Sequence, residues 1–250
     1  MYQLTTIPAL ETNYIWLLTN DKQQTVIVDP STAKPVIDYL SRHSLKPVAI
    51  LLTHHHDDHT AGVAELVKAY PEILVFGSAT IQQKLQLPVH TVHESDKVQL
   101  ENFDFQVIET PGHTLDHVVY YQAPYLFCGD TLFAGGCGRI FEGTHEQMFN
   151  SLKKLYQLPN QTLICCAHEY TLDNFKFALS VLPDDIDLLA QFEKIKELRK
   201  DNKITLPTTL ELEKRTNLFL RWDDERIQQK LQITDSEQVF SKLRTMKDRF

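Results

Sequence analysis

The feature that most constrains this chain is a dense cluster of metal-binding side chains, His54-x-His56-x-Asp58-His59. It directly follows the continuous apolar run 48–52, which is typical of a strand buried on both faces. Burying several imidazoles and a carboxylate without partners would be costly, and metal coordination is the usual way to satisfy such groups. The cluster therefore predicts a metal site at the end of a strand.

The direction of the side chains decides how many ions this cluster serves. Side chains alternate along an extended segment, so three of the ligand-type residues are expected to point the same way: His54, His56 and Asp58. His59 then points elsewhere unless the chain turns. The cluster is therefore better suited to two neighbouring metal ions than to one.

Three further ligand-type side chains follow predicted strands at the point where each strand ends. They are His113 after strand 103–109, Asp130 after strand 125–128 and His168 after strand 163–166. Loops on a rigid scaffold are where functional residues concentrate. A single histidine in such a loop is more often a hydrogen-bonded structural residue, but three such loops together with the first cluster indicate one shared site.

Short apolar runs separated by turns occupy the first two-thirds of the chain. Seven of them are predicted strands: residues 25–28, 48–52, 73–76, 103–109, 118–121, 125–128 and 163–166. Few helices lie between them, although Val63, Leu66, Val67 and Tyr70 recur at helical spacing after the cluster. This pattern favours two sheets packed face to face with helices outside.

After about residue 169 the sequence takes on a helical character. No glycine follows Gly143, and residues 185–200 are rich in helix formers. The predicted apolar face of this helix consists of Ile186, Leu189, Phe192 and Ile195. A terminal helix is predicted with the apolar face Val239, Leu243, Met246 and Phe250. We therefore expect two domains, one over 1–169 and a small helical one over 170–250.

Composition and charge exclude several classes of protein. The net charge of −8 counts against a protein that binds phosphate backbones. No apolar run approaches the roughly 18 residues of a membrane span, and the first residues lack the basic and apolar regions of a signal peptide. Four cysteines without a CxxC motif form no disulfide framework. We therefore expect a cytoplasmic protein with no nucleic-acid or membrane partner.

In their order and strand-end placement these residues resemble the metallo-β-lactamase superfamily and, within it, the glyoxalase II family of hydroxyacylglutathione hydrolases. The closer resemblance rests on Thr53-His54-His55-His56, Pro111-Gly112-His113-Thr114, Phe133-Ala134-Gly135-Gly136-Cys137-Gly138-Arg139, Ala167-His168-Glu169-Tyr170-Thr171, Leu206-Pro207-Thr208-Thr209-Leu210 and Leu243-Arg244-x-x-Lys247-Asp248-x-Phe250. It therefore covers nearly the whole chain. It implies an α/β fold, an αββα sandwich of two mixed sheets flanked by helices, with a small C-terminal all-α domain. It also implies that 1–169 is a metallo-β-lactamase-like catalytic domain and that 170–250 is a helical substrate-binding domain.

The resemblance also implies two divalent metal ions per chain, with zinc expected and iron or manganese as alternatives. One ion would be held by His54, His56 and His113, the other by Asp58, His59 and His168, with Asp130 bridging them. His55 and Asp57 are left out of both sets and are interpreted as supporting or solvent-facing residues. No catalytic side chain beyond these ligands is predicted, because a hydroxide shared by the two metals supplies the nucleophile.

The activity implied is hydrolysis of S-(2-hydroxyacyl)glutathione, with S-D-lactoylglutathione giving glutathione and D-lactate in methylglyoxal detoxification. Arg139 would face the peptide backbone of glutathione, and Tyr170 would contribute a hydroxyl group. Arg244 and Lys247, which share a helix face, would bind its glycine carboxylate. Phe141 stands where the family commonly has tyrosine, so one hydroxyl donor to glutathione is lost.

The alternative is a persulfide dioxygenase or another hydrolase of the same fold. A dioxygenase with a single iron would leave most of the second ligand set idle and would not account for the helical tail. A nuclease of the superfamily also carries HxHxDH, but the charge of −8 and the lack of a basic arm count against it. A structural zinc module would have a closed, usually cysteine-rich ligand set, which is absent. We therefore expect a monomeric enzyme whose partner is a glutathione thioester.

Overall fold

The computed structural model describes all 250 residues, and the chain divides into two compact units. Unit 1 comprises Met1–Glu109, Asp116–Gln122 and Phe127–Gly129, and unit 2 comprises Thr110–Leu115, Ala123–Leu126 and Asp130–Phe250. The predicted boundary between residues 169 and 170 is a different division, and it stays a prediction.

The chain contains fourteen strands and ten α-helices. The strands are β1 (Tyr2–Ala9), β2 (Asn13–Asn20), β3 (Gln24–Val28), β4 (Lys46–Leu51), β5 (Leu74–Gly77), β6 (His90–Thr91), β7 (Lys97–Leu100), β8 (Phe103–Glu109), β9 (Val118–Gln122), β10 (Tyr125–Gly129), β11 (Leu132–Phe133), β12 (Gly136–Cys137), β13 (Leu163–Cys166) and β14 (Thr208–Thr209). The helices are α1 (Lys34–Arg42), α2 (Asp57–Thr60), α3 (Val63–Ala69), α4 (Ala79–Leu85), α5 (His145–Tyr156), α6 (Thr171–Val181), α7 (Ile186–Lys200), α8 (Leu210–Thr216), α9 (Glu225–Leu231) and α10 (Ser236–Lys247), with a 3₁₀ turn at Leu218–Leu220. None of the helices combines the length and apolar character needed to cross a membrane.

The first sheet is mixed and has the strand order β1-β2-β3-β4-β5-β6. Its first three strands pair antiparallel, and β3 to β6 pair parallel. Val36 of α1 and Leu66 of α3 share a buried cluster with Ile27 and Ile50 of the central strands. Because β4 is buried in this core, it appears in the sequence as an unbroken apolar run. The histidine cluster follows the end of this strand.

The second six-stranded sheet has the order β14-β13-β10-β9-β8-β7, and β11 pairs with β12 in a separate hairpin. Within it, β7 to β9 and the pair β13–β14 are antiparallel. The predicted strands 103–109 and 163–166 match β8 and β13, and the other five differ from the observed strands by one or two residues at an end. The remaining seven strands, including the long pair β1 and β2, were not predicted.

Helix α7 buries a different face from the predicted one. Leu188 and Ile195 are buried, whereas Ile186 is 82% exposed and Leu189 is 43% exposed. The predicted residues are spaced strictly by three, and each such step falls about 60° short of a full turn. Ile186 and Ile195 therefore lie on opposite sides of the helix. In the terminal helix α10, Val239 and Leu243 are buried, but Phe250 lies beyond the helix end and is 63% exposed.

The two adjacent leucines of α7 give a direct test of this face. We expect Leu188→Ala to lower the free energy of unfolding by about 2–5 kcal/mol, since a fully buried side chain is removed. Leu189→Ala, its matched control, should cost about 0.5 kcal/mol or less because this side chain is exposed. Urea unfolding followed by circular dichroism measures both variants, and equal losses would contradict the observed face.

Candidate metal centre

The histidine cluster of unit 1 forms two pairs of facing ligands. Nε2 of His54 and Nδ1 of His56 lie 3.0 Å apart, in the extended segment that follows β4. Helix α2 then begins, and within it Nε2 of His59 lies 3.6 Å from a carboxylate oxygen of Asp58. The prediction that Asp58 continues the extended alternation with His54 and His56 is therefore wrong. The helical turn instead places Asp58 beside His59.

Asp29, which the sequence analysis missed, supports this cluster from behind. It is buried after β3, and its carboxylate accepts hydrogen bonds from the main-chain N–H and the hydroxyl of Thr53 at 2.8 and 2.6 Å. One of its oxygens also lies 3.0 Å from Nδ1 of His59, and Oγ1 of Thr53 lies 3.1 Å from Nδ1 of His54. The signal that could have revealed Asp29 is its place directly after a predicted strand.

These contacts determine which ring nitrogen of His54 and of His59 carries the hydrogen when the ring is neutral. The Thr53 hydroxyl donates to Asp29, so its oxygen is left to accept a hydrogen bond from Nδ1 of His54. An ionised carboxylate can only accept, so His59 also carries its proton on Nδ1. In the neutral form of each ring, Nε2 is therefore the unprotonated nitrogen that a metal requires. The ring of His117 stacks on His54 with centroids 4.8 Å apart, a packing role that the sequence did not indicate.

In unit 2, Asp130 faces two histidines, one with each carboxylate oxygen. Its Oδ2 lies 3.4 Å from Nε2 of His113, and its Oδ1 lies 3.4 Å from Nε2 of His168. Nδ1 of His113 lies 2.7 Å from the main-chain oxygen of Arg139, which can only accept, so Nε2 is again the acceptor nitrogen of the neutral ring. A buried carboxylate that faces one imidazole with each oxygen has the arrangement of a bridging ligand.

Glycine permits the tight hairpin that follows Asp130. A Cβ at Gly138 would lie 1.8 Å from the main-chain oxygen of Asp130. Gly135 has a φ of +69°, and a Cβ there would lie 2.5 Å from the ring of Phe175. Any larger residue would push these segments apart. The hairpin can therefore return the chain at Arg139 to within hydrogen-bonding distance of His113.

A pocket of about 230 Å³ lies within unit 2 beside His168. Its lining residues are Phe133, Cys137, Arg139, Tyr170, Asp173, Asn174, Arg244 and Lys247, and they include all four residues predicted to bind glutathione. The Tyr170 ring stacks on His168 with centroids 4.8 Å apart and planes 3° apart. A lining residue of the pocket therefore contacts one of the candidate ligands.

The two cations of α10 face this pocket in different ways. Arg244 is buried; it donates to the main-chain oxygen of Cys137 at 2.9 Å and to Asp248 at 2.9 and 3.1 Å. Lys247 is half-buried, and its Nζ donates to the main-chain oxygen of Asp173 at 3.1 Å. Burial lowers the pKa of Lys247, and the neighbouring Arg244 charge lowers it further. Two cations in so small a pocket favour an anionic ligand.

Phe141 is 60% exposed and takes no direct place in the pocket lining. Its ring lies edge-on to His113 with centroids 5.2 Å apart, and the Arg139 guanidinium lies 5.6 Å from its centroid. The residue therefore retains the packing of an aromatic ring at this position without a hydroxyl group.

The two residues left out of the ligand sets lie against side chains of unit 1. Nδ1 of His55 lies 2.8 Å from Asp116, which also accepts a hydrogen bond from Ser78 at 2.6 Å. Asp57 is exposed and forms an ion pair of 2.6 Å with Lys84. Lys84 also donates to the main-chain oxygen of His55, so these contacts hold the backbone of the cluster in place.

Comparisons with known proteins agree with this geometry. Residues 10–168 match the model of the metallo-beta-lactamase superfamily, and residues 169–250 match that of the hydroxyacylglutathione hydrolase C-terminus. A hydroxyacylglutathione hydrolase of Photorhabdus laumondii is 49% identical over 253 residues, which cover 99% of this chain and 100% of that protein.

Solved structures share the fold. The B3 metallo-β-lactamase BLEG-1 is 25% identical with a TM-score of 0.66, over 88% of this chain and 99% of that one. TTHA1623, solved in a di-iron-bound form, is 27% identical with a TM-score of 0.62, over 87% of this chain and 100% of that one. The predicted α/β fold of two sheets flanked by helices, with a helical C-terminal region, is confirmed. By its match to a full-length relative and to both family models, the chain belongs to the hydroxyacylglutathione hydrolase family of the metallo-β-lactamase superfamily.

Proposed function

We propose that this chain hydrolyses the thioester bond of S-(2-hydroxyacyl)glutathione, with S-D-lactoylglutathione as its substrate in methylglyoxal detoxification. Its products are glutathione and a 2-hydroxy acid, D-lactate. The observation that carries the proposal is the stacking of His168, a candidate ligand facing Asp130, on Tyr170, which lines the cationic pocket. This arrangement suits a reaction in which an anionic group is bound beside a metal centre.

We propose that the predicted ligand residues hold two divalent metal ions. The residues proposed are His54, His56 and His113 for one ion and Asp58, His59 and His168 for the other, with Asp130 shared. Imidazole and carboxylate donors with Nε2 unprotonated suit zinc, iron and manganese. We propose zinc, and the di-iron form of the related TTHA1623 supports a dinuclear centre.

When bound, the metal ions polarise the thioester carbonyl and lower the pKa of the attacking water. The residues of the chain provide the conditions for this chemistry. Asp29 and Thr53 hold the rings of His54 and His59 so that each presents Nε2. The leaving thiolate needs no strong general acid. The buried Cys137 thiol, whose pKa is raised to about 11, stays protonated at neutral pH and does not act as a nucleophile.

Substrate binding is assigned to the pocket. Glutathione carries two carboxylates, and we propose that Arg244 and Lys247 bind the carboxylate of its glycine. Arg139 and Tyr170 then contact the peptide part, between the carboxylate and the thioester. Since these residues lie away from the scissile bond, they are expected to contribute to binding more than to chemistry.

A persulfide dioxygenase is not favoured, because the relative aligned over the full chain is a hydroxyacylglutathione hydrolase. A single-iron enzyme would also leave the facing pair Asp58 and His59 without a role. We further propose a cytoplasmic monomer. The four cysteines are all free and buried, which suits a reducing compartment.

Assays of the purified, metal-loaded protein test the proposed function. We expect S-D-lactoylglutathione to be hydrolysed with release of glutathione, and glutathione persulfide to cause no oxygen consumption. Oxygen consumption without thioester hydrolysis would instead establish the dioxygenase.

The metal content of variants tests the proposed ligand assignment. We expect about two metal equivalents per chain, since seven ligands with one shared carboxylate suit two ions. Asp130→Ala should lower occupancy at both sites, whereas His168→Ala should leave about one equivalent. Glu65→Ala is the matched control, because this carboxylate is exposed on α3 and lies outside the ligand motif. Elemental analysis provides the measurement, and a fully active wild type with one equivalent would refute the dinuclear centre.

Lys247→Ala tests the carboxylate site. A charge-assisted hydrogen bond contributes roughly 1.5–3 kcal/mol and an exposed ion pair about 0–1, so we expect KM for S-D-lactoylglutathione to rise about 5- to 50-fold. The kcat value and the metal content should change little. Lys242→Ala is the control, since Lys242 is exposed on the same helix and does not line the pocket. An unchanged KM in Lys247→Ala would remove α10 from the glutathione site.

A further inference from the structure

Glu213 is a buried carboxylate outside the metal centre. It lies on α8, is 1% exposed, and its Oε2 accepts hydrogen bonds from the main-chain N–H of Gly135 at 2.7 Å and from Nδ2 of Asn217 at 3.0 Å. Burial raises the pKa of this carboxyl to about 7. A carboxyl that is costly to bury and whose partners are hydrogen-bond donors rather than cations calls for a structural or functional reason.

Asn217, one turn later, continues the contact. Its Nδ2 donates to the main-chain oxygens of Phe133 at 3.1 Å and Gly136 at 2.9 Å, in addition to the bond to Glu213. Two amide protons are thus shared among three acceptors. Together the two side chains bind three main-chain groups of the glycine-rich loop, which we define as residues 133–138.

The opposite side of this loop rests on α6. Nδ2 of Asn174 donates to the main-chain oxygen of Ala134 at 3.1 Å. A Cβ at Gly135 would lie 2.5 Å from the Phe175 ring, and one at Gly136 would lie 2.6 Å from Asn174. The loop therefore has no room to move toward α6, and Glu213 and Asn217 hold it on the other side.

The glycine-rich loop forms one wall of the pocket. Phe133 and Cys137 of the loop line it, and Arg139 follows directly. The main-chain oxygen of Cys137 also accepts the hydrogen bond from Nη1 of Arg244. The position of the loop therefore determines both the pocket wall and one of the contacts that orient the Arg244 guanidinium.

We propose that Glu213 and Asn217 are positioning residues for substrate binding, which hold the glycine-rich loop and, through it, Arg244. The inference rests on the proposed function, because it takes the pocket to be the glutathione site. Neither residue lines that pocket, so their effect on binding is indirect.

Kinetics of three variants test this role. Glu213→Ala should raise KM for S-D-lactoylglutathione and the Kd for S-methylglutathione, measured by calorimetry, in parallel by about 5- to 20-fold, because the buried N–H of Gly135 loses its acceptor and Asn217 loses a partner. The kcat value should change less than about threefold. Glu213→Gln retains an acceptor oxygen and should restore KM to near the wild-type value. Glu211→Ala, at an exposed position of the same helix, is the matched control.

A second variant covers the case in which Glu213→Ala does not fold. Asn217→Ser keeps a side-chain oxygen to accept from the Phe219 N–H, as Asn217 does at 3.0 Å, but lacks the amide donors to the loop. It should raise KM and Kd similarly and accelerate hydrogen exchange in the loop.

The outcomes separate this inference from the proposed function. If the wild type is active and KM is unchanged in Glu213→Ala and Asn217→Ser, the positioning role alone is overturned. The same holds if Glu213→Gln is as impaired as Glu213→Ala. A wild type that neither hydrolyses S-D-lactoylglutathione nor binds S-methylglutathione overturns the proposed function and this inference with it.

Discussion

The need to satisfy imidazole and carboxylate groups at buried strand ends is the constraint on which the rest of this structure depends. His54 and His59 are fully buried, and Asp130 is nearly so. The buried histidines have partners that determine which ring nitrogen is presented. Thr53 and Asp29 bind Nδ1 of His54 and His59 in unit 1, and a main-chain oxygen binds Nδ1 of His113 in unit 2. Ligand orientation is therefore decided by groups behind the ligands.

A single short segment of unit 2 joins a candidate metal ligand to the wall of the pocket. Asp130 begins it, the glycine-rich loop occupies its middle, and Arg139 follows the loop with its main-chain oxygen 2.7 Å from Nδ1 of His113. Glycine at positions 135 and 138 allows the close return that this requires. The same backbone therefore orients the ring of His113 and forms a wall of the pocket. A shift of this backbone would alter both the His113 ring and the pocket wall.

The sequence predicted those features that depend on local pattern. Buried strands such as β4 and β8 form continuous or alternating apolar runs, and the ligands follow directly after such runs. Strand β2 was missed although its centre, residues 14–18, is as continuous an apolar run as 48–52. Other misses depend on tertiary partners, such as the burial of its polar ends, Asn13 and Asn20.

The missed side chains have the same cause. Asp29 and Glu213 look like ordinary surface carboxylates until Thr53 and Gly135 are seen to donate to them. The buried face of α7 was misplaced for a different reason, since residues spaced by three do not share one side of a helix.

An acidic chain can still bind an anion in a cationic pocket, because the cations of the pocket attract a ligand at short range. A net charge of −8 is screened over about 10 Å at ordinary ionic strength, whereas Arg244 and Lys247 lie in the pocket wall itself. Arg244 is fixed by its bonds to Asp248 and Cys137, and its planar fork keeps a defined direction. Lys247 has a flexible stem, and its Nζ donates to one main-chain oxygen and lies over the rings of Phe177 and Phe250. The pocket therefore holds its two cations by different means, one through fixed hydrogen bonds and the other largely through ring contacts.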